Sequence, residues 1–92
     1  MIRSFNHRGL QALWEKGDGS KLDRRMVDRI TRRLDALDAV IRPQDMDQPG
    51  FDFHALTGKR RRTYTVHVNG PWCVTFRWDG TGATHVDLEQ YH

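Results

Sequence analysis

The chain has 92 residues, with 15 Lys and Arg against 12 Asp and Glu, a formal charge of +3 at pH 7, five histidines and one cysteine. A lone Cys73 excludes an internal disulfide framework and a cysteine-rich zinc site, and no apolar run is long enough to span a membrane. A single domain over residues 1–92 is expected, burying about 65% of its unfolded surface, so an open surface is favoured over a deep pocket as the working site.

The N-terminus lacks the apolar core of a signal peptide, which makes the cytoplasm the expected location. The basic balance either favours an acidic partner or reflects a soluble surface richer in Arg than in Asp. No internal repeat or low-complexity segment is present.

Met1 to Phe5 reads as a short strand. From His7 to Lys16, Leu10, Leu13 and Trp14 recur at helical spacing, and Gly17 after a lysine is a stop signal. Asp18-Gly19 turns the chain into a longer helix, expected from about Lys21 to Ala39. Ser20 and Asp23 resemble a capping box there, and Leu22, Met26, Val27, Ile30, Leu34 and Leu37 form an apolar stripe.

The outer face of that helix is expected to hold Arg24, Arg25, Arg29, Arg32 and Arg33 among Asp23, Asp28, Asp35 and Asp38, with Asp28 and Arg32 spaced to pair. It is either a solvated, self-neutralised face or one that binds phosphate or a partner. Residues 41–52, with Pro43, Pro49 and Gly50, read as a connection over the surface. Phe51 to Leu56 is a strand or an extended entry into the sheet. Lys59, Arg60, Arg61 and Arg62 follow without an adjacent acid, a run that mutual repulsion makes better suited to a polyanion contact than to idle solvation.

Residues 63–92 read as three alternating strands. Tyr64, Val66 and Val68, then Trp72, Val74, Phe76 and Trp78, then Thr84, Val86 and Leu88 share one apolar face. A three-residue Asn69-Gly70-Pro71 turn keeps the first two strands in phase and sets Val68 opposite Trp72. The Asp79–Gly82 turn then sets Phe76 opposite Val86 and Val74 opposite Leu88. The other face becomes a grid of Thr63, Arg77 and His85; Thr65, Thr75 and Asp87; and His67, Cys73 and Glu89. With both helices burying their stripes on the apolar face, the grid is left open. The class is α+β, an N-terminal strand and two helices on one side of a C-terminal antiparallel sheet.

Neither the five histidines nor the carboxylates fall at metal-ligand spacing, so no metal and no cofactor is expected. No Gly-rich phosphate loop and no Gly-x-Ser-x-Gly element occurs. What remains is a basic, histidine-bearing open face near Tyr91-His92. Such a face suits metal-free RNA cleavage, which needs a base for the ribose 2′-hydroxyl, cations for the phosphate and an acid for the leaving oxygen.

At the level of residues the chain resembles the HigB branch of the RelE superfamily, the toxins of type II toxin-antitoxin pairs. The resemblance rests on Met1–Phe5 with His7, Gly9-Leu10 and Glu15–Gly17, on Arg33–Ala39, and on His54–Gly58. It continues through Val66–Asn69 with Trp72, Thr75–Trp78, and Val86–His92. It implies a RelE-like fold and a ribosome-dependent mRNA endonuclease acting in the ribosomal A site. A helix-turn-helix antitoxin would hold it inactive, and through that antitoxin the pair would bind operator DNA and repress its own promoter.

By the same resemblance His54, Tyr91 and His92 sit at or beside the reacting phosphate, and the basic stretch around Arg60 to Arg62, with Lys59 and Arg77 added, faces RNA. Three positions depart from the family pattern. Thr57 stands where Lys is common, Cys73 where an Arg usually stabilises phosphate charge, and Gln90 where an Asp commonly precedes the Tyr-His pair. His67 also stands at a position that is often Arg. These departures imply either compensation by Arg77 and the Arg60 to Arg62 run or a toxin of reduced activity, acting mainly as its antitoxin's partner.

Overall fold

The computed structural model describes residues 1–91, so the predicted role of His92 lies outside the described residues. In chain order come helix α1 (Arg8–Lys16), helix α2 (Val27–Ala39) and strands β1 (His54–Ala55), β2 (Tyr64–Asn69), β3 (Trp72–Trp78) and β4 (Ala83–Gln90). The strands form one antiparallel sheet in the order β1-β2-β3-β4. Among the described residues no helix is long and apolar enough to cross a membrane.

Local chemistry sets the helix ends. The ring Nδ1 of His7 accepts from the backbone N–H of Gly9 and Leu10 at 3.0 and 3.2 Å, so His7 caps α1. Gly17, at φ 68°, ends it in the left-handed conformation that glycine adopts without steric cost. The expected Ser20–Asp23 capping box does not form. Asp23 instead caps a 3-10 turn (Arg24–Met26) by accepting from Arg25 N–H at 2.9 Å, and the α-helix starts only at Val27. The N-terminal amine donates to the Asp38 carbonyl at 2.7 Å, placing a positive charge at the negative end of the α2 dipole.

Both helices cover the apolar sheet face, as the alternation predicts. Leu10, Ile30, Leu34 and Leu37 pack with Val66, Val68, Val74, Phe76 and Val86 in one buried cluster, each large side chain contributing about 1.5–3 kcal/mol. Phe53, Tyr64 and Phe76 stack in series, with ring centroids 5.7 and 5.5 Å apart. Two expectations fail on this side. The 41–52 connection does not simply run over the surface, because Pro43 and Met46 are buried on a 3-10 turn (Pro43–Met46) and Met46 joins the core. Arg33 does not lie on the solvent face of α2; it is 7% exposed, because its long stem reaches the gap between α2 and the 49–51 segment.

Two bulges adjust the register. The β2–β3 connection is Gly70-Pro71, not three residues. Asn69 pairs with Trp72 and His67 with Cys73, so Val68 is the extra residue that restores the phase. On β4, Thr75 pairs with Asp87 but Arg77 pairs with Thr84, so His85 and Val86 together oppose Phe76. His85 takes φ 53° at this bulge. The N-terminal segment docks there as isolated parallel bridges, Ile2 to Ala83 and Phe5 to Val86, rather than as a full strand.

Candidate functional site

The sheet face opposite the helices carries the polar grid, and one ion pair divides it. Arg60 donates to both carboxylate oxygens of Glu89, at 3.0 and 2.7 Å, and the Thr75 hydroxyl donates to the same carboxylate. Thr75 and its cross-strand partner Thr65 are buried. The centre of the grid is thus withdrawn from solvent, contrary to the expectation of a face open throughout, with the bidentate Arg60–Glu89 fork against Thr75, while Asp87 in the same row stays partly exposed.

Two hollows flank the pair. The first, about 690 Å³, is lined by Asp52, His54, Thr57, Thr65, His67, Cys73 and Tyr91, with Ala55, Leu56 and the Gly70-Pro71 turn completing its wall. The second, about 400 Å³, is lined by Arg60, Thr63, Thr75, Arg77, His85, Asp87 and Glu89, with Asn6 and Phe76. His54 reaches the first hollow from the edge strand, where it pairs with Thr65. Tyr91 reaches it from beyond β4, held by its backbone N–H on the Pro71 carbonyl at 2.8 Å. Thirty-seven positions of chain separate these two side chains, and the antiparallel order brings them to one concavity.

The ring nitrogens have defined roles. His54 Nε2 lies 3.1 Å from Asp52 Oδ1, and a carboxylate only accepts, so the neutral imidazole is protonated at Nε2 and keeps Nδ1 as a free acceptor. His67 Nε2 lies 2.9 Å from the Gly70 carbonyl and donates to it by the same logic, tying that ring to the turn. Asp52 was not singled out from the sequence, although Phe51-Asp52-Phe53-His54 alternates, and that pattern was the signal that pairs it with His54. Asp52 takes φ 47°, a left-handed conformation uncommon outside glycine but one that Asp tolerates. The two peptides before it are held from a distance: His67 N–H donates to the Phe51 carbonyl at 2.7 Å, and Arg33 donates to the Gly50 carbonyl at 3.2 Å.

Charge is unevenly shared between the hollows. Among the described residues no Lys or Arg lines the first hollow, while Arg60 and Arg77 line the second. Hydrogen bonds from Arg60 hold the Glu89 carboxyl below its ordinary range, with burial opposing the shift and Thr75 adding to it. The Arg60 guanidinium is raised in return, first by those bonds, and it also feels Tyr91 and Asp87. Burial pushes the Cys73 thiol up, and the charges of Asp52 and Glu89 add to that, so it stays a neutral thiol near pH 7. Lys59, Arg61 and Arg62 are exposed on and after the 3-10 turn Gly58–Arg60 and line neither hollow. Among the described residues no group of three His, Cys, Asp or Glu gathers as a metal site.

The first hollow thus holds an imidazole with a free nitrogen and a phenol, and the second holds cations one strand pairing away. A model of HigB-like toxins, described as the RelE-like toxin of the type II toxin-antitoxin system HigB, matches residues 3–92. Over 92 residues the chain is 35% identical to an endoribonuclease HigB of Proteus vulgaris, covering all of both chains.

Proposed function

Since the chain belongs to the HigB-like family of RelE-like type II toxins, we propose that it is an endoribonuclease that cuts messenger RNA on the ribosome by way of the ribose 2′-hydroxyl. The observation that carries this reading is the convergence of His54 and Tyr91 on one hollow from opposite ends of the sheet. The 2′-hydroxyl gives up its proton to a base and its oxygen attacks phosphorus. The P–O5′ bond breaks, and an acid returns a proton to the departing 5′-oxygen, leaving a 2′,3′-cyclic phosphate and a 5′-hydroxyl.

His54, Tyr91 and His92 share the proton transfers. His54 Nδ1 is suited to the base role because Asp52 occupies Nε2. Arg60 and Arg77 stabilise charge building on the phosphate oxygens from the neighbouring hollow, and Lys59, Arg61 and Arg62 hold flanking RNA. The ribosomal A site presents the strand in the geometry the open hollow does not itself impose. A helix-turn-helix antitoxin holds the toxin inactive and carries the pair to operator DNA, in the cytoplasm.

One observation favours a weaker enzyme. Among the described residues the first hollow has no Lys or Arg, and Cys73, where the family usually has Arg, is buried and neutral there. On this second reading the chain acts mainly as its antitoxin's partner, and Cys73→Arg raises cleavage sharply. Induced expression in a bacterium followed by primer extension on translated messages tests the first reading. Growth arrest with new transcript ends is expected, and neither appearing would rule out an active nuclease.

A further inference from the structure

Away from the cleft, a hollow of about 380 Å³ opens between α2 and the 49–51 segment, bordered by Arg29, Arg32, Arg33, Gly50, Phe51 and His67, and among the described residues no Asp or Glu lines it. Arg33 is the anomaly. At 7% exposure it donates to three backbone carbonyls, of His67, Gly50 and Arg29 at 2.9, 3.2 and 3.3 Å, and stacks 4.5 Å over the Phe51 ring. All of these partners are neutral, and three of the five guanidinium N–H groups are used. A buried cation is ordinarily paired with an acid.

Its neighbours aggravate the imbalance. Burial lowers the Arg33 guanidinium first, and the charges of Arg32 and Arg29 lower it further. Arg29 donates only to the Val68 carbonyl and the Asn69 side-chain oxygen, which are also neutral. Arg32 is exposed and makes no ion pair among the described residues. Elsewhere arginines do find acids: Arg3 with Asp79, Arg25 with Asp23, Arg42 with Asp45 and Arg60 with Glu89.

We infer that this hollow is an anion site that takes a backbone phosphodiester of an RNA strand. Several forks converging on one small hollow match the tetrahedral oxygens of a phosphate, which accepts from more than one guanidinium at once. An acidic peptide would gain its affinity from an apolar anchor, and here the Phe51 ring is covered by Arg33 and Val68 is buried, which leaves Pro49 alone as exposed apolar lining. His67 borders both this hollow and the first hollow of the cleft, so an RNA that enters the cleft continues over the His67 edge to the arginines. The identity of the strand rests on the RNA-cleaving reading; the site itself does not. The site also gives α2 a role: its bound phosphate sits on the residue that fixes the Gly50–His67 frame behind His54.

The test is a titration of the full chain, followed through the Arg33 Nε–H and backbone amide resonances, with three probes: a short single-stranded RNA carrying 2′-O-methyl groups, inorganic phosphate and poly-glutamate. The RNA is expected to move the Arg33 resonance to saturation, with inorganic phosphate moving it only at far higher concentration. Arg32→Gln should lower the slope of log affinity against log salt by about 1, and the Arg29→Gln/Arg32→Gln pair by about 2. Arg25→Gln, at a residue paired with Asp23 and outside this hollow and both hollows of the cleft, should leave the Arg33 response in place. An Arg33 resonance that ignores RNA while the 59–62 amides respond overturns the proposal. So does an equal response to inorganic phosphate, which marks a free-anion site, or to poly-glutamate, which marks a peptide site. The methylated RNA cannot be cut, so a chain without nuclease activity still returns the binding result, and a cleaving chain whose Arg33 is silent refutes this site alone.

Discussion

Replacing Glu89 by Gln separates the stability of the cleft from its affinity for RNA. The substitution keeps the shape, removes the charge and turns one of two acceptor oxygens into a donor facing groups that already donate, Arg60 and Thr75. The two side chains are 43% and 28% exposed. That places the pair between an exposed one, which contributes under about 1 kcal/mol, and a buried one, whose rupture costs about 3–5 kcal/mol. A loss of about 1–2 kcal/mol is expected at pH 7. With about 2.1 cal/mol/K of unfolding entropy per residue, a chain this size should then lose roughly 5–10 °C in Tm.

The pH dependence follows from the same contact. The folded-state pKa of Glu89 lies below its ordinary value of 4.5. Its stabilisation is therefore fully present above about 4.5 and drains away as pH falls through the lower, folded value. The Tm gap between the native chain and Glu89→Gln should be widest near pH 7 and narrow as pH falls below about 4.5. Meanwhile Arg60 loses its resident anion, so uncleavable RNA should bind the variant about two- to fivefold more tightly, equivalent to roughly 0.5–1 kcal/mol. Thermal melts from pH 7 to pH 2 and RNA titrations at fixed salt provide both readouts. A Tm gap that persists unchanged in acid, or RNA binding that weakens along with stability, would refute the view that Glu89 holds Arg60 as a stand-in for phosphate.

Other expectations concern single side chains. His54→Ala and Tyr91→Phe should each lower single-turnover cleavage of ribosome-bound message by about 10²–10⁴-fold, while urea denaturation shows stability within about 0.5 kcal/mol of the native chain. Asp52→Gly removes the His54 contact but suits φ 47°, so stability should change by less than about 0.5 kcal/mol. Its cleavage should fall roughly tenfold, within the range that misplacing a catalytic group costs. Leu34→Ala, at a fully buried position between helix and sheet, should cost about 3–4 kcal/mol by urea denaturation. Cys73 should be alkylated by iodoacetamide at pH 7 far more slowly in the folded chain than in urea, because burial keeps it a thiol.

Much of this molecule was written in local patterns. The alternation in Tyr64–Trp78 set which side chains meet the core, and the spacing of Ile30, Leu34 and Leu37 set which side of α2 meets them, because side-chain direction follows directly from strand and helix periods. Gly17 fixed a helix end for the same reason: only the local backbone matters there. The cross-strand neighbours His67 and Cys73 were also legible.

Contacts between segments distant in the chain were not legible. Whether Arg33 is solvated or buried depends on where the 49–51 segment passes. Whether Arg60 is free depends on Glu89, which lies 29 positions away. The bulges at Val68 and His85 belong to the fit between strands rather than to either strand alone, and they moved Arg77 from His85 to Thr84. The left-handed turn at Asp52 follows peptides that His67 and Arg33 hold from a distance, although the alternation of 51–54 already set Asp52 beside His54. Local sequence determines direction and propensity at short range, whereas long-range charge pairing and register are settled by the free energy of the assembled sheet, which here gave Arg60 its partner Glu89.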